Sequence, residues 1–292
     1  MNGMLMKVAI FVFLFLVGGL PAEAVRMERT GVEGAPAVVF VPGLASHGDL
    51  WRPWAEEYAD TYDVFVVTAP GFAGEQPRVG GGPFLQSTVA EIAASLKRYG
   101  VSKATIVGHS IGGLMALMLA NEAPDLVGNV LVVDSLPYLA AMFMPGTEPD
   151  QARAQAYFMA DRMKAMPHIA FIAQQKQGLP RLSNTPAFLP VLEKWSTASD
   201  QATVAKAFAE GLGTDYRLEL KNITVRITVL AAFSKAMGVP RAQIKMLYET
   251  QYAGLRHVDV HLVDDSYHFI MIDQPEQFSQ HLSNVLNQGE VR

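Results

Sequence analysis

Ser110 stands in Gly108-His109-Ser110-Ile111-Gly112-Gly113, directly after the apolar run Ala104-Thr105-Ile106-Val107 and directly before a helix-like stretch at residues 111–122. A Gly-x-Ser-x-Gly turn between a strand and a helix lifts a serine hydroxyl above the strand ends, where a base can reach it. The turn is so tight that side chains at 108 and 112 would collide with neighbouring backbone. The helix start behind the serine favours negative charge developing on a substrate. The chemistry this pattern suits is nucleophilic attack by Ser110 on an acyl carbon. The plain alternative is a glycine-rich turn around an inert serine, and the strand before and helix after argue against it.

Such a reaction needs at least two N–H donors aimed at the oxyanion. One is expected to be the backbone N–H of Ile111, next after the serine. The other is expected from the loop Pro42-Gly43-Leu44-Ala45-Ser46, with Leu44 N–H as the candidate and Gly43 letting the loop approach the substrate closely. The reaction also needs a base, and histidine is the residue type suited to it. Of seven histidines, His268 is the best placed, because its loop follows the last strand-like run and precedes the last helix-like stretch. Parallel strands deliver their C-terminal ends to one edge of a sheet, so this loop and the Ser110 turn can meet there. His109 is expected to turn its ring away from the nucleophile's face while bordering the substrate, and His47 to line the pocket. His168, His257, His261 and His281 read as ordinary solvated or hydrogen-bonded residues.

The elements that must position these groups are legible as alternating runs. Ala37-Val38-Val39-Phe40-Val41, Val64-Phe65-Val66-Val67, Ala104-Thr105-Ile106-Val107, Val130-Leu131-Val132-Val133, Ile227-Thr228-Val229-Leu230-Ala231 and residues 258–263 are short apolar runs, most of them ended by Gly, Pro or Asp. Runs of this kind suit strands buried on both faces of a parallel sheet. Helix-like stretches lie between them, at residues 50–58, 85–99 and 111–122, and a last one opens with Pro275. The alternation predicts a doubly wound, mostly parallel α/β sheet. Residues 138–216 break the rhythm: they contain no convincing strand, are rich in Ala, Met, Phe and Gln, and read as short helices inserted between two core strands. The expected organisation is a core of residues 25–137 and 217–292 with a helical lid at 138–216.

Four motifs now carry a resemblance. Val41-Pro42-Gly43, Ala69-Pro70-Gly71-Phe72, Gly108-His109-Ser110-Ile111-Gly112-Gly113 and His268-Phe269 followed by Asp273-Gln274-Pro275 resemble the α/β-hydrolase superfamily, in its order and over nearly the whole chain after residue 24. The resemblance implies an eight-stranded-type sheet, a lid between strands six and seven, hydrolysis of esters or related acyl compounds, and Ser110 and His268 as nucleophile and base. Two departures matter. Pro42-Gly43 stands where many members have His-Gly. The loop that usually carries the triad acid, Ala231-Ala232-Phe233-Ser234-Lys235-Ala236-Met237-Gly238, holds neither Asp nor Glu. Some members carry the acid at the end of the sixth strand instead, and Asp134 stands there, after Val130–Val133. From that position it can reach the Nδ1 side of His268, fix its tautomer and stabilise the imidazolium. A structural hydrogen-bonding role for Asp134 is the alternative. Asp264 and Asp265 are too near His268 in sequence to orient its ring, and Asp215 reads as the end of the lid.

Met142, Phe143 and the other Met and Phe residues of the lid suit an apolar acyl or alcohol group. The expected substrate is therefore a small to medium, uncharged carboxylic ester, contacted by Gly43, His109, Met142 and Phe143. Rival readings keep the fold and change the bond to an amide, lactone, thioester or peroxide, or make the chain a non-catalytic binding protein. A carboxylate-nucleophile dehalogenase is excluded by Ser110. A net charge of −5 without any basic run argues against a nucleic-acid partner. The absence of cysteine excludes disulfides and thiolate chemistry. No cofactor or metal is expected. Residues 1–24, with Lys7, a short apolar run and Pro21-Ala22-Glu23-Ala24, read as a secretory signal peptide, hence a secreted or periplasmic protein without a stable membrane span; an uncleaved anchor is the alternative.

Overall fold

The computed structural model describes residues 25–80 and 82–289. The segment read as a signal peptide lies outside them. The chain alternates β1 (Arg26–Gly31), β2 (Ala37–Val41), α1 (Arg52–Tyr58), β3 (Asp63–Thr68), α2 (Phe84–Arg98), β4 (Ala104–His109), α3 (Ile111–Glu122) and β5 (Val127–Val133). Five helices follow: α4 (Ala140–Phe143), α5 (Pro149–Ala165), α6 (His168–Gly178), α7 (Leu189–Ala198) and α8 (Gln201–Gly213). The chain then completes the sheet with β6 (Arg226–Phe233), α9 (Arg241–Gln251), β7 (Val258–Asp264), α10 (Ile270–Asp273) and α11 (Pro275–Gly289).

The seven strands form one sheet in the order β1-β3-β2-β4-β5-β6-β7. All neighbours are parallel except β1 against β3. Side chains alternate between two layers, as strand geometry requires. Val39, Ile106, Val130 and Val229 face a core shared with α2, α3 and α9. Val38, Phe40, Val107 and Leu131 face the opposite core, shared with α1 and α11 through Trp54 and Phe278. Helix α3 is apolar all round and buried from Ile111 to Ala120, because it fills the centre of its layer.

The doubly wound fold is as expected, with three corrections. Among the described residues the sheet has seven strands rather than eight, so the helical segment falls between the fifth and sixth strands, not the sixth and seventh. β1 was not expected: its sequence is almost wholly polar, with Met27 its one apolar side chain, and only its edge pairing with β3 makes it a strand. β7 is not buried on both faces; it is the other edge of the sheet, and its residues alternate between half-buried and exposed.

The inserted helices are tied to the core at several points. Tyr216 N–H donates to Pro137 O at 2.8 Å, closing the neck of the segment. The buried Glu210 carboxylate on α8 accepts the N–H groups of Phe84 and Leu85 at 2.7 and 2.8 Å. It thereby satisfies orphan donors at the start of α2 and meets the positive end of that helix.

Candidate active site

Ser110 sits between β4 and α3 with φ 54° and ψ −127°. A non-glycine residue in that region is strained by about 1–3 kcal/mol and persists only where its surroundings hold it. Here the holding is by backbone proximity. A Cβ on Gly108 would lie 2.3 Å from Gly112 O, and one on Gly112 would lie 2.4 Å from Val41 O. Ser110 N–H donates to Val133 O at 2.9 Å, and Gly113 N–H returns to Ser110 O at 2.8 Å. Of the six non-glycine residues with positive φ among the described residues, four belong to this region: Ala45, Ser110, Asp134 and Asp265.

Across the strand ends, His268 Nδ1 lies 2.6 Å from Asp134 Oδ2. Asp134 follows β5 directly. Its other oxygen accepts Ala232 N–H at 2.8 Å and Tyr248 O–H at 2.7 Å. The carboxylate is buried, and both of its oxygens accept hydrogen bonds. Tyr248 is held well above its ordinary pKa of 10, first by burial and then by the Asp134 charge, and it stays a donor. Tyr252, beside it, is raised in the same way and donates to Ser135 O at 2.8 Å. Asp264 pairs instead with Arg241, and Asp215 with Arg217.

Behind His268 lies His109. Its Nε2 is 3.0 Å from His268 O, so Nε2 carries the proton and donates to that carbonyl. Its Nδ1 is buried without a partner. Burial, and then the neighbouring His268, push the His109 pKa well below 6.5, which keeps the ring neutral. Asp273 fixes the same loop from the other side. It accepts Tyr267 N–H at 2.8 Å and, from the chain just ahead of α7, Thr185 Oγ1–H at 3.0 Å and Ser183 Oγ–H at 2.5 Å.

Ser110, His268, Leu44 and Ile111 border a cavity of about 600 Å³ between the strand ends and the inserted helices. No hydrogen bond joins Ser110 and His268 among the described residues; such contacts often tighten only once substrate is bound. Ile111 opens α3, so its N–H is one of the orphan donors of a helix start. Leu44 N–H has no hydrogen-bond partner among the described residues. Met142 and Phe143 line the cavity as expected. Two expectations are corrected. Gly43 does not border it; a Cβ there would lie 2.9 Å from His109 Nδ1 and 3.0 Å from Ser110 Cβ, so its bareness seats those residues. His47 does not border it either, because its ring caps the turn before α1 by accepting Asp49 N–H at 3.0 Å. His109 touches the cavity, but its hydrogen bond is spent on the His268 loop. Sequence reasoning missed Tyr248, which lies far from the motifs in the chain; Ala232 and Asp273 stand in segments it singled out, but their hydrogen-bonding roles carry no spacing signal. Among the described residues no group of three or more His, Cys, Asp or Glu side chains is placed to hold a metal ion.

Residues 38–281 match the family model described as the alpha/beta hydrolase family. A stretch of 118 residues is 34% identical to part of the dihydrolipoyllysine-residue acetyltransferase component of an acetoin cleaving system of Cupriavidus necator, covering 39% of this chain and 30% of that protein. The chain is 26% identical over 259 residues to the pimeloyl-[acyl-carrier protein] methyl ester esterase of Aeromonas salmonicida, covering 87% of this chain and 96% of the relative. Its fold resembles a thermophilic esterase from Thermogutta terrifontis with a TM-score of 0.73 and 20% identity, over 91% of this chain and 93% of that one. The chain belongs to the alpha/beta hydrolase family.

Proposed function

We propose that this α/β hydrolase cleaves a carboxylic ester of small to medium size, with an apolar acyl or alcohol part, through an acyl-enzyme on Ser110. The observation that carries the reading is the 2.6 Å contact of His268 Nδ1 with Asp134, beside a cavity that Ser110 also borders. The esterase name of the Aeromonas relative supports ester chemistry.

In this reading the Asp134 carboxylate holds the proton of His268 on Nδ1, which leaves Nε2 free as base. Ser110 Oγ attacks the ester carbon and its proton passes to Nε2. The oxyanion is met by the N–H groups of Leu44 and Ile111. Collapse of the adduct breaks the C–O bond, and the departing alkoxide takes the proton back from His268. Water, deprotonated by the same nitrogen, then attacks the acyl-enzyme; the acyl C–Oγ bond breaks, Ser110 Oγ takes the proton back from His268, and the carboxylic acid is released. Ala232 N–H and Tyr248 O–H hold the Asp134 oxygen that His268 does not use.

The test is turnover of p-nitrophenyl esters of increasing acyl length by wild type and Ser110→Ala. The expected loss in the variant is roughly 10⁶-fold in kcat. Retained turnover in Ser110→Ala, or none by folded wild type on any ester, would overturn the reading.

A further inference from the structure

The wall that α5 presents to the cavity holds one charge. Met159, Met163 and Met166 recur at helical spacing on the cavity side, with Phe158 beside them, and Arg162 stands within this stripe and also lines the cavity. The stripe is otherwise what an amphipathic helix turns toward apolar surroundings. A guanidinium there is out of pattern. The other basic residues of α5 have carboxylate partners, Arg153 with Asp150 and Lys164 with Asp161. Arg162 has no ion pair among the described residues. Its contact is the Phe158 ring, 6.0 Å from the guanidinium carbon, which occupies a face and leaves the N–H edges open. The lone carboxylate on the cavity wall, Asp134, is already taken by His268, Ala232 and Tyr248.

Depth orders these groups. Ile111, Leu139 and Val204 line the cavity and are buried, whereas Phe143, Phe158, Arg162 and Gln174 line it and are exposed. Arg162 is thus at the mouth, with apolar wall between it and the Ser110 end. We infer that Arg162 binds an anionic end group of the substrate, so that the substrate class is an ester with an apolar body and a carboxylate at the end remote from the scissile bond. This rests on the ester reading above and refines it. The apolar body fills the Met- and Phe-lined length. The carboxylate receives the paired N–H donors of the guanidinium, whose fork matches its two oxygens. Ion pairing at a half-wet mouth contributes selectivity rather than bulk affinity.

The experiment uses two p-nitrophenyl ester series of matched acyl length, one ending in methyl and one in carboxylate. It measures the ratio of their kcat/KM values in wild type, Arg162→Gln and Arg162→Lys. The expected result is a carboxylate-to-methyl ratio about 10- to 100-fold lower in Arg162→Gln, carried by KM rather than kcat. Arg162→Lys keeps part of the preference, and added salt lowers it in wild type. A ratio that does not move in Arg162→Gln overturns the inference and leaves the ester reading standing. If wild type turns over neither series, the ester reading falls, and binding decides the inference. Calorimetric titration of Ser110→Ala with a long-chain monocarboxylate and with the matching alcohol is then compared with the Ser110→Ala, Arg162→Gln double variant. Selective weakening of the carboxylate supports the anion site; equal weakening of both overturns it.

Discussion

The floor and the wall of the cavity are built by different means. At the floor, Ser110, Asp134 and Ala45 are held with positive φ by neighbouring backbone, and glycines 108 and 112 leave no room for a methyl group. The wall is made of side chains on α4, α5 and α8, several of them exposed, such as Phe143 and Phe158 at 64% and 63%. In a floor of that kind a single added carbon forces backbone to move. A wall of that kind tolerates repacking and grades its response. Chemistry is expected to fail abruptly when the floor is altered, whereas substrate preference should shift gradually with the wall.

Asp134→Asn is the strongest way to break this contrast. Tyr248 still has an acceptor at position 134, so the fold should hold, but an amide can no longer fix the proton on His268 Nδ1. The expected kcat loss is about 10³- to 10⁴-fold with an unchanged circular dichroism spectrum. Full activity in the folded variant would assign Asp134 a structural role instead. Gly112→Ala comes next. Its Cβ would lie 2.4 Å from Val41 O and 2.5 Å from Pro42 O, so the loop bearing Leu44 must shift. A destabilisation of about 2–3 kcal/mol is expected, read from the urea midpoint.

His109 sharpens the comparison through pH. Its folded pKa is depressed by burial, and then by His268, below the ordinary 6.5. Below 6.5 the unfolded chain takes up a proton that the folded ring refuses. Stability is therefore full above 6.5 and falls as pH drops toward the folded value, by up to about 1.4 kcal/mol per pH unit. His281, lowered by burial and then by His261, contributes with the same sign. His109→Gln should flatten the loss between pH 7 and 5 without abolishing it; a slope equal to wild type would mean that His109 does not stay neutral in the fold. The smallest effect belongs to the wall. Phe143→Ala should raise KM for longer acyl chains by about 2- to 5-fold and leave the melting temperature within about 2 °C, because an exposed ring contributes little to the core. A collapse in kcat there would show that floor and wall are not separable.

Much of the molecule follows from local pattern. The five inner strands are built around continuous apolar runs, since a strand covered by helices on both faces has few polar positions to spare. The Ser110 turn is readable because only glycine fits beside it. β1 was not legible, because its mostly polar sequence becomes a strand only by pairing with β3 at an edge. Met142 and Phe143 could be assigned to the pocket from composition, but Gly43 and His47 could not be excluded from it, because a loop's sequence does not say which way its residues turn.

By itself, then, the sequence determined the order of the strands after β1 and the helices flanking them, the strained serine turn and the histidine loop, all of which depend on neighbours a few residues apart. The sequence offered Asp134 as a partner for His268, but only tertiary structure decided that they meet and that Tyr248 stands beside them. Asp134 is 134 residues away from it in the chain, and Tyr248 is 114 residues from Asp134. They meet because parallel strands bring their C-terminal ends to one edge, and the pairing of β5 with β6 and β6 with β7 sets which ends are adjacent. The same holds for Arg162: its sequence neighbours mark it as one more charge on a helix, and only the packing of α5 over the strand ends turns it toward the cavity.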